Sequence, residues 1–372
     1  MKRLCVLLLV FSILFSGCSL LSNKYVSVTP HRDSSAGVEN KVMSASNYSQ
    51  LRTAFAELVH SGAETGIIHV SDYHTALLEQ GLADAVNYVQ NYDAIGAYCV
   101  ERIEYEKGTS GIVPAVAVTI HYLYDIRTIR QIPTVRNSDE LWERVETALQ
   151  RCEAGMVAYV ESYTEQDLIQ LVEDYGTANP ASMMEVPQVS YEVYPENGKD
   201  RVVALKFTYQ NSRTDLRQMQ SQVQPIFNSA VQYAKGGNDY QKLQRLYSFL
   251  MERFSEYQIK TSITPSYSLL HHGVGDSRAF AMVYAQMCRM AGVESRVVTG
   301  TLQGEPWYWN MVESDGVFYH VDLLRSHQGN GFLLLTDKQM EEYVWDYSAY
   351  PVCQGIAQPE EPAETETENN FE

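Results

Sequence analysis

The chain has 372 residues and carries 46 acidic against 28 basic side chains, a net charge of −18. That sign excludes nucleic acid as a partner, and it excludes electrostatic adhesion to anionic lipid headgroups. The length and a 45% hydrophobic content are enough for two or three folded domains.

At the start, Lys2 and Arg3 precede an apolar run from Leu4 to Phe15 that only Ser12 interrupts. About a dozen residues is the length of a signal-peptide core and falls short of the ~20 needed to span a bilayer. Small residues Ser16 and Gly17 then precede Cys18. This LFSGCS segment resembles the bacterial lipobox, which implies cleavage ahead of Cys18 and acylation of its thiol. A diacylglyceryl group buries two chains at about 0.8 kcal/mol per methylene, which favours stable anchoring. Residues 1–17 are therefore expected to be a signal peptide and 18–46 a lipidated polar linker, with the remainder extracytoplasmic. Loss of Lys2 and Arg3 leaves 26 basic residues against 46 acidic, a charge of −20. At the other end, residues 355–372 are expected to be an acidic disordered tail, because PEEPAETETENNFE has six Glu and no basic residue.

Residues from Asn47 and from Asn137 match at an offset of 90. Leu51 aligns with Leu141, Val59 with Leu149, Val70 with Val160 and Tyr73 with Tyr163. Each stretch opens on an Asn suited to cap a helix. Apolar residues at helical spacing follow: Leu51, Phe55, Leu58 and Val59, or Leu141, Val145, Ala148 and Leu149. A short strand, a second helix and two alternating strands complete each stretch. In the second, the two strands are joined by PENGKD, whose Asn-Gly is a hairpin signal. The expected fold class is α+β, with α-β-α-β-β repeat modules at 47–130 and 137–212 and a third domain at 213–350. Nothing in the two modules has the spacing of a catalytic or metal site. Cys99, Cys152, Cys288 and Cys353 form no C-x-x-C pair, so disulfides and buried thiols both remain open. No cofactor motif is present.

From Thr214 the pattern is helical, punctuated by Gly236 and Gly237. Asp276 is placed to cap a helix whose apolar face is Phe280, Val283, Tyr284, Met287, Cys288 and Ala291, ending at Gly292. A strand SRVVTGTL follows, then a hairpin of WYWNMVES and VFYHVDLL turning at Asp315-Gly316.

Over roughly 230–345 this order of pieces resembles the transglutaminase-like superfamily, with its papain-related α+β fold. The pieces are GDSRAFA, AGVESRVVTG, WYWN, HVDLL and GFLLLTDKQM. The resemblance implies a Cys nucleophile at the core-helix start, a His base on the next strand and an Asp that orients the base. Those positions here are Ser277, Trp307 and Asp322. Serine needs a base to take its proton, and an indole is a donor only. In a comparable triad, loss of the nucleophile or the base costs on the order of a millionfold in turnover. The resemblance therefore implies a pseudoenzyme.

His320 lies two residues before Asp322 on one strand, which would put both on one face. His271 and His272 precede the glycine turn before the core helix. These histidines with Asp322 have no diagnostic metal spacing, so no metal is assigned. Binding candidates around the former active site are Trp307, Tyr308, Trp309, Asn310 and His320. Trp307 either joins a binding surface or fills the old cleft. The leading expectation is a binding or scaffold module for cell-wall glycan, peptide or a surface protein. An alternative is a hydrolase or acyl transferase in which Ser277 is served by His320 or His271. A third reading is a structural assembly subunit. A His within hydrogen-bond reach of Ser277 separates the second from the others.

Overall fold

The computed structural model describes residues 42–256, 262–329 and 331–355, an α+β chain with three four-stranded sheets, one two-stranded sheet and their helices. Cys18, the signal segment, the linker up to residue 41 and the acidic tail from residue 356 lie outside the described residues.

The first unit runs β1 (Val42–Ser44), α1 (Tyr48–His60), β2 (Thr65–His69), α2 (Thr75–Asn91), α3 (Ala94–Cys99), β3 (Val100–Ser110) and β4 (Val113–Tyr122). Its strand order is β1-β2-β4-β3, with β1 parallel to β2 and the other pairs antiparallel. Asn47 caps α1 by accepting the Gln50 N–H at 3.0 Å. The helix buries Leu51, Phe55, Leu58 and Val59 in one cluster with Ile68, Val116 and Val118.

After α4 (Ile126–Arg130), the second unit runs β5 (Thr134–Val135), α5 (Ser138–Gln150), β6 (Gly155–Val160), α6 (Leu168–Ala178), β7 (Gln188–Tyr194) and β8 (Arg201–Thr208). Its strand order is β5-β6-β8-β7, with the same alternation of parallel and antiparallel pairs. Asn137 caps α5 through the Glu140 N–H at 3.0 Å.

Two expectations change here. Each unit begins one strand earlier than expected. Val42–Ser44, assigned to the linker, pairs with β2, and Thr134–Val135 pairs with β6. These strands are too short to show period-2 alternation. Between the second helix and the two closing strands of the first unit, Ala94–Cys99 forms an additional helix that the expected order did not include. Asp93 caps this turn at the Gly96 N–H, and a Cβ on Gly96 would lie 2.1 Å from the Val89 carbonyl, so the close helix contact requires glycine there. The hairpin expected over PENGKD forms between β7 and β8. Six residues separate the strands, and Arg201 holds the carbonyls of Pro195, Glu196 and Gly198 at 3.1, 2.7 and 2.9 Å. Pro195 has no N–H with which to extend the ladder.

The third unit contains α7 (Arg213–Tyr233), α8 (Asp239–Met251), β9 (Ser255–Glu256), α9 (Pro265–His272), β10 (Val274–Gly275) and α10 (Ser277–Met290). It continues with β11 (Ser295–Leu302), β12 (Glu305–Ser314), β13 (Val317–Val321), α11 (Leu323–Gln328) and β14 (Tyr343–Trp345). The sheet is antiparallel in the order β13-β12-β11-β14. Asp315 and Gly316 both adopt positive φ between β12 and β13, as a tight hairpin turn demands. Helix α10 is buried on most of its circumference, so it reads as a central core helix.

The units pack on one another. Val202 of the second joins the first unit's core cluster, while Cys152 and Met184 join the third's. Glu185 is buried at the second junction. Its carboxylate accepts the Gln210 and Asn211 N–H groups at 2.5 and 3.1 Å and the Asn211 side chain at 2.7 Å. Three donors satisfy a charge that would be costly if left alone. The four cysteines are free and buried, and burial pushes the Cys99 and Cys353 thiols up to about 12.

Candidate functional site

Asp276 caps α10 by accepting the Ala279 N–H at 2.9 Å, which sets Ser277 in the first turn. Ser277 is 8% exposed. Its Oγ accepts a weak bond from the Tyr308 N–H at 3.4 Å, and no other hydrogen bond reaches it among the described residues. Strand β12 thus passes beside the helix start and carries Trp307 there. On the opposing strand, Gly300 lets Val344 and the Trp309 ring come close, since a Cβ there would lie 2.3 Å from the Val344 carbonyl and 2.8 Å from that ring.

The Trp307 indole N–H donates to Asp322 Oδ2 at 2.7 Å. The same oxygen accepts the Tyr343 hydroxyl at 2.7 Å, and Oδ1 accepts the Arg325 N–H at 3.0 Å, capping α11. Asp322, 1% exposed, is therefore saturated by three donors. A histidine in the place of Trp307 would offer a lone pair toward the helix start. The indole has none, so no proton acceptor stands between Asp322 and Ser277.

His320 does not meet Asp322. It is fully buried, its Nδ1 accepts the Trp309 indole N–H at 3.0 Å, and its Nε2 lies 2.8 Å from Asp337 Oδ1. Because indole only donates, Nδ1 must carry the lone pair. That places the proton on Nε2, where Asp337 accepts it. Burial lowers the His320 pKa, and Asp337 partly offsets this. Cys353 completes a group of three potential metal ligands with His320 and Asp337. Indole donation to Nδ1 opposes that use, since the ligating Nε2 would have to lose its proton while Nδ1 still faces a donor. The Cys353 N–H instead donates to Asp337 Oδ2 at 3.1 Å, and the Asp337 N–H to the Cys353 carbonyl at 2.8 Å. His271 and His272 stand in a ring cluster with Tyr267, at centroid distances of 4.7 and 5.3 Å.

The expected binding set therefore divides. Trp307 and Tyr308 are half-buried at the site. Trp309, Asn310 and His320 have no exposed surface and hold the fold. Asn310 Nδ2 donates to the Ala281 carbonyl at 2.8 Å, tying β12 to α10. The alternative pairing of Ser277 with His320 fails on the same grounds, because both His320 nitrogens are engaged elsewhere. Sequence reasoning missed Tyr343, Asp337 and Arg278. Only Asp337 had a local signal, since it follows Thr336 in a T-x-x-Q capping box that the structure forms.

Residues 228–329 match the family model for the transglutaminase-like superfamily. This segment is a transglutaminase-like domain. Among solved structures, the chain is similar to a TGase at 11% identity with a TM-score of 0.27, over 58% of this chain and 63% of that one. The chain thus spans less than two thirds of that TGase. It is also similar to a candidate cysteine protease from Cytophaga hutchinsonii at 13% identity and a TM-score of 0.26, over 42% and 70% of the two chains. A candidate protease from Parabacteroides distasonis aligns at 11% identity and a TM-score of 0.22, over 69% and 39%. No curated protein sequence matches the chain. Within this domain, Trp307 bonds Asp322 while its neighbour Tyr308 bonds Ser277, so the three residues that the sequence resemblance singled out lie in one region.

Proposed function

We propose that the chain is an exported lipoprotein, acylated at Cys18, whose transglutaminase-like domain binds a partner instead of catalysing acyl transfer. The partner is of the extracytoplasmic kind: peptide, cell-wall glycan or a surface protein. The observation that carries this reading is the 2.7 Å bond from the Trp307 indole to Asp322. That bond uses the orienting carboxylate to fix a side chain with no basic nitrogen. Ser277 is left as a weak nucleophile without a base.

The test is a serine-directed activity probe, together with an assay for amine incorporation into glutamine peptides. The wild-type chain and Ser277→Ala should behave alike in both. Labelling or turnover that disappears with Ser277→Ala overturns the reading. Anchoring is tested separately: metabolic labelling with a radioactive fatty acid should be lost in Cys18→Ala.

A further inference from the structure

A cleft of about 670 Å³ lies where the second unit meets the transglutaminase-like domain, beside Ser277. One wall is Arg278 with Thr299 and Tyr308, and the other is helix α6 and the start of β7. Arg278 stands next to Ser277 in the chain, and its guanidinium lies over the Tyr308 ring at 5.9 Å. Its Nε is buried and has no hydrogen-bond partner, and among the described residues the guanidinium makes no ion pair. Arg278 is half-buried and lines the cleft, so the rest of its guanidinium is a charged donor set available to an acceptor that enters there.

We propose that this cleft binds a short peptide through its carboxylate, with Arg278 as the anchoring fork. A guanidinium presents parallel donors that match a carboxylate in two bonds. The opposite wall argues against phosphate and other multiply charged anions, because Glu173 and Asp174 of α6 line the same space. Asp174 accepts the Gln170 side chain at 2.9 Å, whereas Glu173 has no hydrogen bond among the described residues and is available to an ammonium group. The remaining polar lining includes Gln170 and Gln188, side-chain amides that pair with peptide groups. Strand β7 is also the edge of its sheet, and its first residues Gln188 and Val189 line the cleft. The ligand class is thus a peptide bearing a carboxylate for Arg278 and an ammonium for Glu173.

The proposal deepens the binding reading above and rests on it. Its test is calorimetric titration of the full chain in detergent with trialanine, N-acetyl-trialanine and trialanine amide. Free trialanine should bind, and the amide should bind about tenfold more weakly or worse, because one charge-assisted pair is removed. Arg278→Gln should weaken trialanine to the level of the amide, and Arg278→Lys should fall between, keeping the charge without the fork. Glu173→Gln should weaken free trialanine but leave the N-acetyl form unchanged. Equal binding of acid and amide, indifference to Arg278→Gln, or tighter binding of inorganic phosphate overturns the proposal. So does the absence of any binding. Trialanine that is bound and also hydrolysed would sink the non-catalytic reading while leaving this cleft in place.

Discussion

Trp307 and Trp309 sit two residues apart on β12, on the same face, and each donates its indole N–H to a buried acceptor. Trp309 has no exposed surface and meets a neutral histidine in a closed aromatic cluster with Tyr343 and Trp345, at centroid distances of 5.1 and 5.7 Å. Trp307 is half-buried and meets the carboxylate of Asp322 near the start of α10. The same side chain thus serves two purposes within one strand. At 309 it packs a core and fixes a tautomer, and at 307 it binds a carboxylate beside the strand that reaches Ser277. Burial, not residue type, separates the two.

The sharpest way to break that contrast is truncation. Trp309→Ala should destabilise the transglutaminase-like domain by about 3–5 kcal/mol, through lost burial and a cavity. Trp307→Ala should cost about 1–2 kcal/mol, since part of its surface is already wet. Urea midpoints followed by the tryptophan emission of this domain would compare them. Equal losses would show that 307 is a core position and that the start of α10 carries no open site.

A second test rebuilds the chemistry. In Ser277→Cys combined with Trp307→His, the imidazole would inherit the Asp322 bond and hold a thiolate at the start of α10. At pH 6 its alkylation by iodoacetamide should run about tenfold or more faster than in Ser277→Cys alone, tenfold for each unit by which the thiol pKa falls. The background should be low, because burial holds the Cys99 and Cys353 thiols at about 12 and also raises Cys152 and Cys288. Equal rates would mean that position 307 does not address position 277.

A finer test is Trp307→Phe, which keeps most of the ring and removes the N–H. Asp322 retains Tyr343 and the Arg325 N–H, so the loss should be about 0.5–1.5 kcal/mol, one hydrogen bond.

The sequence made these sites legible unevenly. Asp276, Ser277, Trp307 and Asp322 stand on the elements expected of them because each is a fixed step of a local pattern: a cap, a helix start, a strand and a strand end. The partners of His320 were not legible. Asp337 and Cys353 reach it from a later loop, and the short pairing of His320 with Leu335 that aligns them is a tertiary event without periodicity. Arg278 was passed over for a similar reason. Its cleft is half made by α6, a helix about a hundred residues earlier. The strands β1 and β5 were missed because two or three residues cannot display alternation.

The smallest expected effect is in pH, and it has opposite signs at two histidines. His320 titrates below the ordinary histidine value because burial disfavours the charged ring. Protonating Nδ1 would also set an N–H against the Trp309 N–H. As pH falls, the unfolded chain therefore takes up the proton first. The His320 contribution to stability is present above about 6.5 and is lost as pH falls from there through the folded value. His60 is the reverse: its Nε2 lies 2.9 Å from Asp93, and that bond raises its pKa. Its contribution is present below about 6.5 and is lost as pH rises through the raised value. The His60 side chain is 44% exposed, so solvent screening keeps its contribution small. Between pH 7 and 5, then, the transglutaminase-like domain should lose stability to denaturant while the first unit holds or gains slightly. Ring-proton resonances should show His320 titrating late and His60 early. A His320 that titrates above 6.5 would mean the Trp309 indole does not point at its lone pair, and the contrast between the two tryptophans would rest on packing alone.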